Sequence, residues 1–574
     1  MNECPNRSVL RGLAEVFASG RSSDCDVIFC RECNTPNPSA PSRPAAARGG
    51  EGDDPQPPTG DGAGPSGTGP SVVFFGEPLP AHRLILTLAS PRFAAQLERW
   101  SAEHPPGPSA AEAATAVGGR CQLRVPLGSE AEVPAARAAI RFAYTGEVAA
   151  GSSSSVLEVL EVRRQADYLE IKGCVAACDK VLKAMIKASG AGGTKEGGSG
   201  KRVAGPEIFE LFGAEALWPD LDAEPGFGAI VASAKRRLVP HFRNSLAVLN
   251  TPSLRGQLLA LPATGVEALL ASTEFGTDNE ASVLLLLAVW MDANHRTTAT
   301  EVRQRLCSLV RLPYLGRPYF SLVLPALAAN FEKNPNGRAG WFSGVTVTFA
   351  AFLAAFTGAA ARERQCMLQS APPATVPALQ MSSRRQCISP TDGLTFRWHI
   401  SKDQLLRVVR CLPPASQQGV HVHGIFDQQS RHDLFAWGFI WGVFIKISAG
   451  QPTAGLYLCC RLPAAVAPHC DGTLTAMTVV PISARLVVHR RQGNAQSNVH
   501  VVISSSEDFV TVGSGVGASK LLPLRQPPPQ GAAGGATAAA VVPDPLAAWA
   551  DYLVEGKITG TLTLLAPESL RHRC

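Results

Sequence analysis

Three stretches rich in Pro, Gly, Ala and Ser divide the chain, at 33–70, 186–206 and 525–541. Segments of this composition carry few large apolar side chains, so they bury too little surface to offset the entropy of an ordered chain. We predict disordered inserts at 33–70 and 525–541 and a Gly-rich linker at 186–206. The 574 residues therefore fold as several domains rather than around one core.

The apolar spacing differs between these parts of the chain. Before the first insert, SVLRGLAEVFA predicts a short helix and CDVIF a strand. After the insert, VVFFGEPLPAHRLILTLAS predicts a strand and a turn that lead into a helix. Apolar residues recur at helical spacing through 207–365. For example, Leu258, Leu261, Val266, Leu269 and Leu270 lie on helical faces, and ASVLLLLAVWMDAN predicts a buried helix.

After a linker at 366–384, the period changes from helix to strand. Bulky side chains occupy the odd positions from Phe435 to Ile447, which predicts one continuous strand with a heavily buried face. GVHVHGIF, GLYLCCRL, SARLVVHRR, NVHVVISS and KITGTLTLL are further strand candidates. The predicted fold class is thus multidomain α+β: an α/β domain at 1–185, an all-α domain at 207–365 and a mainly-β, sandwich-like domain at 385–568.

Charge and composition narrow the function classes. The net charge of +6 is spread without a block of five like charges, so we expect no nucleic-acid partner. The first residues lack the apolar core of a secretory signal, and the fifteen cysteines therefore indicate reduced thiols in the nucleus or cytoplasm. Trp341 to Ala361 is uncharged over about one membrane span, but its Ser, Thr and Gly content favours a buried or amphipathic helix, so we expect no membrane partner.

Local signals within 1–185 define the ends of helices. Ser155 and Glu158 form the S-x-x-E pattern of a capping box, which begins a helix. Gly146 follows Tyr144-Thr145 where a helix has to stop, because a residue without Cβ adopts the left-handed conformation easily. Together, PAHRLILTLASPRFAAQL, RFAYTGEV and VLEVLEVRRQADYLEIKGCVAACDKVL resemble the BTB (POZ) domain.

This resemblance implies roles for several residues. Asp26, His82 and Arg83 match the positions that line a charged pocket near the interface of BTB dimers, so a homodimer is expected. The alternative for His82 is that it only caps and orients the start of a helix.

The resemblance also implies a contact with a cullin-3-type scaffold. BTB adaptors contact that scaffold through an apolar residue two positions before an acidic one. Here these positions are Ser101 and Glu103, so a serine stands where the resemblance expects an apolar residue. The alternative source of the apolar side chain is the neighbouring Trp100.

Two further resemblances cover the rest of the chain. The helical span is similar to the BACK domain, with Glu280, Trp290 and Arg311-Leu312-Pro313 at matching places. The C-terminal region resembles that of plant light-response BTB–BACK adaptors, through Arg385-Gln386-Cys387 at its start and Asp427-Gln428-Gln429 before an aromatic strand. It has no kelch-type repeat.

The remaining motifs do not indicate a nucleotide-binding, metal-binding or catalytic site. Gly513, Gly515 and Ala518 fit a dinucleotide fingerprint, but Pro523 prevents the helix that would have to follow, and we predict a loop. His421 and His423 share one strand face without a third ligand, as expected for a polar face. We expect no metal and no cofactor. With no catalytic motif, we also expect no enzyme.

The expected function is that of an adaptor in a cullin-3-type ubiquitin ligase. The BTB domain would dimerise and bind the scaffold, and the C-terminal domain would bind an unknown protein substrate. The alternative is a BTB scaffold or transcriptional co-regulator without a ligase role.

Overall fold

The computed structural model describes the greater part of the chain. The described residues are 7–33, 71–103, 120–148, 155–189, 205–370, 383–388, 390, 392–410, 419–427, 431–448, 451, 453–481, 483–492, 495–503, 510–523 and 546–565. The predicted inserts, apart from Cys33, and residues 190–204 of the predicted linker lie outside them. The chain divides into two compact units, residues 1–192 with 205–233 and residues 193–204 with 234–574. Both helix and sheet are present, with an α/β region first and a β-rich region last, which confirms the predicted class at this level.

The N-terminal unit combines a three-stranded sheet with helices. Its elements are α1 (Arg7–Ser19), β1 (Cys25–Cys33), β2 (Ser71–Ala81), α2 (Arg83–Ala89), α3 (Pro91–Glu103), β3 (Cys121–Pro126), α4 (Val133–Thr145), α5 (Val156–Tyr168), α6 (Cys174–Ala188) and α7 (Pro206–Gly213). The strand order is β2-β1-β3, with β1 antiparallel to β2 and parallel to β3. Cys25, Val27 and Phe29 of the central strand are buried.

The predicted helix ends of this unit are confirmed. The Ser155 hydroxyl accepts a hydrogen bond from the Glu158 backbone N–H, and the Glu158 carboxylate accepts one from the Ser155 N–H. Gly146 ends α4 at φ 63°, in the left-handed region.

The second unit begins inside α8 (Pro225–Phe242) and contains helices followed by two sheets. The other helices are α9 (Ser245–Asn250), α10 (Pro252–Ala260), α11 (Ala263–Ala271), α12 (Glu280–Asn294), α13 (Thr300–Ser308), α14 (Leu324–Lys333), α15 (Val347–Gly358), α16 (Ala361–Ser370), α17 (Lys402–Arg410) and α18 (Gly472–Met477). The uncharged stretch predicted to be a buried or amphipathic helix contains α15. Across the described part of the chain, no helix is both long and apolar enough to span a membrane.

The strands of this unit form two larger antiparallel sheets and a small one. They are β4 (Leu394–Ser401), β5 (Val420–His423), β6 (Ile425–Phe426), β7 (Leu434–Ala436), β8 (Phe439–Ile447), β9 (Thr453–Arg461), β10 (Val479–Val480), β11 (Ser483–Gln492), β12 (Ala495–Ile503), β13 (Val510–Thr511), β14 (Gly515–Pro523), β15 (Leu553–Val554) and β16 (Lys557–Leu565). One sheet has the order β12-β11-β16-β4-β6, and the other has the order β14-β9-β8-β5, with β7 paired to β8. The five shorter strand candidates are confirmed.

The prediction of one continuous strand from Phe435 to Ile447 is wrong, because the chain forms the hairpin β7–β8. Its two turn residues, Trp437 and Gly438, have φ values of 56° and 80°. A tight hairpin needs such left-handed residues. The turn is fixed by tertiary contacts: Trp437 N–H donates to the Asp278 carboxylate and Gly438 N–H to the Ser282 hydroxyl.

The predicted loop at Gly515–Ala518 is also wrong, since these residues belong to β14. Their backbone pairs with Leu456 to Cys459 of β9 in antiparallel register. No helix follows Ala518 in the described residues up to Pro523, as predicted from that proline, but an extended chain meets that condition as well as a loop does. Backbone pairing with β9 makes this segment a strand rather than a loop.

A buried ion pair joins α12 to the segment that precedes β4. The Arg385 guanidinium donates to the Glu280 carboxylate at 3.1 Å, and the two side chains are 0% and 2% exposed. It also donates to the Ser272 and Leu309 carbonyl oxygens at 2.9 and 3.0 Å. Glu280 accepts a further bond from the Arg311 N–H at 2.9 Å. Burial raises the pKa of Glu280, while Arg385 opposes that rise.

The backbone beside this ion pair is paired as well. Gln386 N–H donates to the Thr273 carbonyl, Thr277 N–H donates to the Gln386 carbonyl, and Ile388 N–H donates to the Thr277 carbonyl. The segment is thus attached to the helical part by both side-chain and main-chain bonds.

We predict that Arg385→Ala lowers the free energy of unfolding by about 3–5 kcal/mol, because it leaves Glu280 buried without its counter-ion. The neighbouring Gln386→Ala, whose side chain is exposed, is the matched control and should change it by less than about 0.5 kcal/mol. Urea unfolding of the full chain measures both. Equal stability of Arg385→Ala and wild type would show that the pair is not required.

Candidate partner-binding site

Helix α3 brings two predicted site residues to the surface of the N-terminal unit. Ser90 fixes the start of this helix, because its hydroxyl accepts a bond from the Phe93 N–H and donates to the Leu169 carbonyl at 2.6 Å. Phe93 and Leu97 are buried at 1% and 5% exposure. One turn later, Trp100 is partly exposed and Ser101 is exposed. The side chain of Glu103 lies outside the described part of the structure.

Arg83 of α2 contacts both of these residues. Its guanidinium donates to the Ser101 hydroxyl at 3.0 Å and lies 5.1 Å from the ring centroid of Trp100. A guanidinium over an indole face at this distance is a favourable cation–π contact. The structure therefore brings together Arg83, predicted for the charged pocket, and Trp100 and Ser101, predicted for scaffold binding. We call these three residues the α3 cluster.

His82 is held in place by its own chain. The buried Tyr144 hydroxyl accepts from the His82 backbone N–H at 2.9 Å and lies 3.2 Å from Nδ1, while Nε2 lies 2.8 Å from the Arg21 carbonyl. An Nε2–H donor to Arg21 leaves Nδ1 to accept from Tyr144. Burial raises the pKa of Tyr144 to about 12, so its hydroxyl keeps its proton at neutral pH. These bonds hold the His82 ring at the start of α2, although its side chain does not cap the helix.

Asp26 and Asp24 have different partners. Asp26 lies in β1 and forms an ion pair with Arg120 at 3.6 Å, in which the Arg120 side chain is 54% exposed. Asp24, which the sequence analysis did not single out, accepts a hydrogen bond from the Arg83 backbone N–H at 2.8 Å. Its carboxylate caps α2, whose N-cap residue His82 makes no side-chain cap. Asp24 is therefore the acidic residue that contacts Arg83. In the sequence, its position just before the predicted strand CDVIF is the feature that could have pointed to it.

Exposed leucines occupy one side of α2. Leu84 and Leu88 are 71% and 66% exposed, and their spacing of four places them on the same face of the helix. Val9 of α1 is 55% exposed. Large apolar side chains exposed together are typical of a surface that another protein covers.

In the described ranges, no group of three His, Cys, Asp or Glu side chains is arranged to hold a metal ion. Neither a scan against protein-family models nor a search of curated proteins found a match for the chain.

We predict that Asp24→Ala lowers the free energy of unfolding of the N-terminal unit by about 1 kcal/mol, through loss of the cap on α2. Asp26→Ala, which removes a single 3.6 Å ion pair with an Arg120 side chain that is 54% exposed, should cost less than that. Thermal unfolding of the full chain measures the two variants side by side. A larger cost for Asp26→Ala than for Asp24→Ala would contradict the assignment of the cap.

Proposed function

We propose that this protein is a substrate-recruiting adaptor of a cullin-3-type ubiquitin ligase, that it dimerises through its N-terminal unit and that it binds substrate through its β-rich region. The observation that carries the proposal is the α3 cluster. Arg83, Trp100 and Ser101 meet at the exposed end of α3, where the BTB resemblance expects the scaffold contact. Mechanistically, the adaptor raises the local concentration of substrate near a charged ubiquitin carrier.

The contacts of Ser101 suggest how the cluster would bind. Besides accepting from Arg83, its hydroxyl donates to the Leu97 carbonyl at 2.9 Å, so it is satisfied within the helix. A serine offers no apolar group to a partner, whereas the Trp100 ring is partly exposed next to it. Trp100, fixed from one side by Arg83, is then the apolar group that a scaffold helix would cover.

Dimerisation is supported by the exposed apolar side chains of α1 and α2. Leu84 and Leu88 together would bury a substantial apolar area in a two-fold interface. A dimer would also hold two substrate sites and add avidity.

We predict that Trp100→Ala weakens binding to the N-terminal domain of a cullin-3-type scaffold by roughly one to two decades, since a filled apolar contact contributes about 1.5–3 kcal/mol. Ser101→Met should tighten binding if the residue-101 position is itself covered, and Glu103→Ala should weaken it. Ala102→Met, an exposed neighbour that gains the same side chain, is the control.

Titration calorimetry with the full chain measures all four variants. If the wild type does not bind and Ser101→Met restores no binding, the adaptor proposal fails and a scaffold without a ligase role replaces it.

We predict that Leu84→Glu combined with Leu88→Glu converts a dimer into a monomer, because charged carboxylates would be buried in an apolar interface. Leu157→Glu, at a 44% exposed leucine on α5, is the matched control and should remain dimeric. Light scattering at micromolar concentration gives the mass of each variant. A monomeric wild type would contradict dimerisation.

A further inference from the structure

The sheet with the order β14-β9-β8-β5 carries a cluster of rings on its exposed side. His423, Phe444 and Tyr457 lie directly opposite one another on β5, β8 and β9. Opposite residues of neighbouring strands share one face of a sheet. The Phe444 ring centroid lies 5.8 Å from that of His423 and 5.3 Å from that of Tyr457. His421 lies 4.5 Å from Phe444, and His432 lies 6.1 Å from His423.

We call these five residues the ring face. Its three histidines are exposed, Tyr457 is partly exposed and Phe444 lies beneath them at 7% exposure.

Two glycines allow the rings to lie along the sheet. A Cβ at Gly515 of β14 would come within 2.9 Å of the Phe444 ring, which reaches across β9. A Cβ at Gly455 would come within 2.5 Å of the Tyr457 ring. The Phe444 and Tyr457 rings are nearly parallel, at an angle of 14°. The buried Phe444 ring thus supports the partly exposed Tyr457 ring, which offers an aromatic surface to planar or apolar groups of a partner.

The charges around the ring face are mostly positive. Lys446 is exposed and lies opposite His421 in the neighbouring strand. Arg461, at the end of β9, pairs with Asp433, so this carboxylate is already neutralised. The face therefore presents a lysine and imidazoles to solvent, which complements an acidic partner.

The imidazoles make this complementarity depend on pH. Burial lowers the pKa of His421, and Lys446 lowers it further. Burial also lowers the pKa of His423, with added effects from His432, His421 and Arg461 that Asp433 opposes. Both rings are therefore mostly neutral at pH 7 and gain positive charge only as the pH falls below their ordinary value of about 6.5.

We propose that the ring face binds an acidic peptide segment of a partner protein, with apolar side chains packed on Tyr457 and the exposed imidazole rings and carboxylates paired with Lys446 and the imidazoles. A nucleic acid is a poorer fit, because binding to a phosphate backbone requires many Lys and Arg contacts and this face offers few. Assigning this acidic segment to the substrate of a ubiquitin ligase rests on the proposed function, whereas the binding of an acidic peptide to the ring face does not.

A displayed library of random peptides, each about twelve residues long, tests this on the immobilised full chain at about pH 6, where His421 and His423 carry more positive charge than at neutral pH. We expect the selected peptides to be rich in Asp and Glu and to include apolar residues. Synthetic copies of them, measured by fluorescence anisotropy, should bind more tightly at about pH 6 than at about pH 7.5.

Substitutions on the ring face identify the surface. Lys446→Ala and His423→Gln should each weaken peptide binding by about tenfold, as expected for loss of one charge-assisted contact. Lys557→Ala, an exposed lysine on β16 of the other sheet, is the matched control and should bind as wild type does. Circular dichroism checks that each variant is folded, and His423→Gln keeps a polar side chain of similar size in case a smaller one does not fold.

Three results would overturn the inference: no peptide is selected, the selected peptides are not acidic, or the ring-face variants bind them unchanged. Tighter binding of single-stranded RNA or of vesicles rich in anionic lipid through the same residues would also overturn it.

The peptide assay contains no cullin, so its result is independent of the adaptor proposal. Peptide binding without cullin binding would refute the adaptor proposal alone, and cullin binding without peptide binding would refute this inference alone.

Discussion

The ion pair between Glu280 and Arg385 is the constraint on which the second unit depends. Two charges removed from water are costly unless each is fully paired, and here the guanidinium donates to the carboxylate and to two backbone carbonyl oxygens. The backbone beside it is also paired, through Gln386 and Thr277. The same helix start holds the β7–β8 turn through Asp278 and Ser282. Buried polar groups therefore join the helical and β-rich parts, and the β7–β8 turn that they hold leads into β8, the strand that carries Phe444 of the ring face.

The N-terminal unit shows the same use of single polar groups to position a surface. Asp24 caps α2 and thereby fixes Arg83, which in turn contacts Ser101 and Trp100. Ser90 fixes the start of α3 from the other end. The side chains of the α3 cluster are thus positioned by hydrogen bonds and a cation–π contact that begin at Asp24, outside the helices that carry them.

Local sequence signals were enough for much of the fold but not for its long-range contacts. The capping box at Ser155 and the helix stop at Gly146 depend only on neighbouring residues, and both were predicted. The hairpin at Trp437-Gly438 was missed, because a tryptophan in the left-handed region is stabilised by Asp278, which is far away in sequence. Arg385 was noted as part of a motif, but its partner Glu280 is more than a hundred residues away, and no spacing rule connects them.

We propose that this chain is an adaptor that links a cullin-3-type scaffold to a protein substrate. The most direct measurement is the mass, by size-exclusion chromatography with light scattering, of the full chain mixed with the N-terminal domain of a cullin-3-type scaffold. For a dimeric adaptor we expect one complex that contains two copies of each protein. Separate elution of the two proteins at micromolar concentration would contradict it.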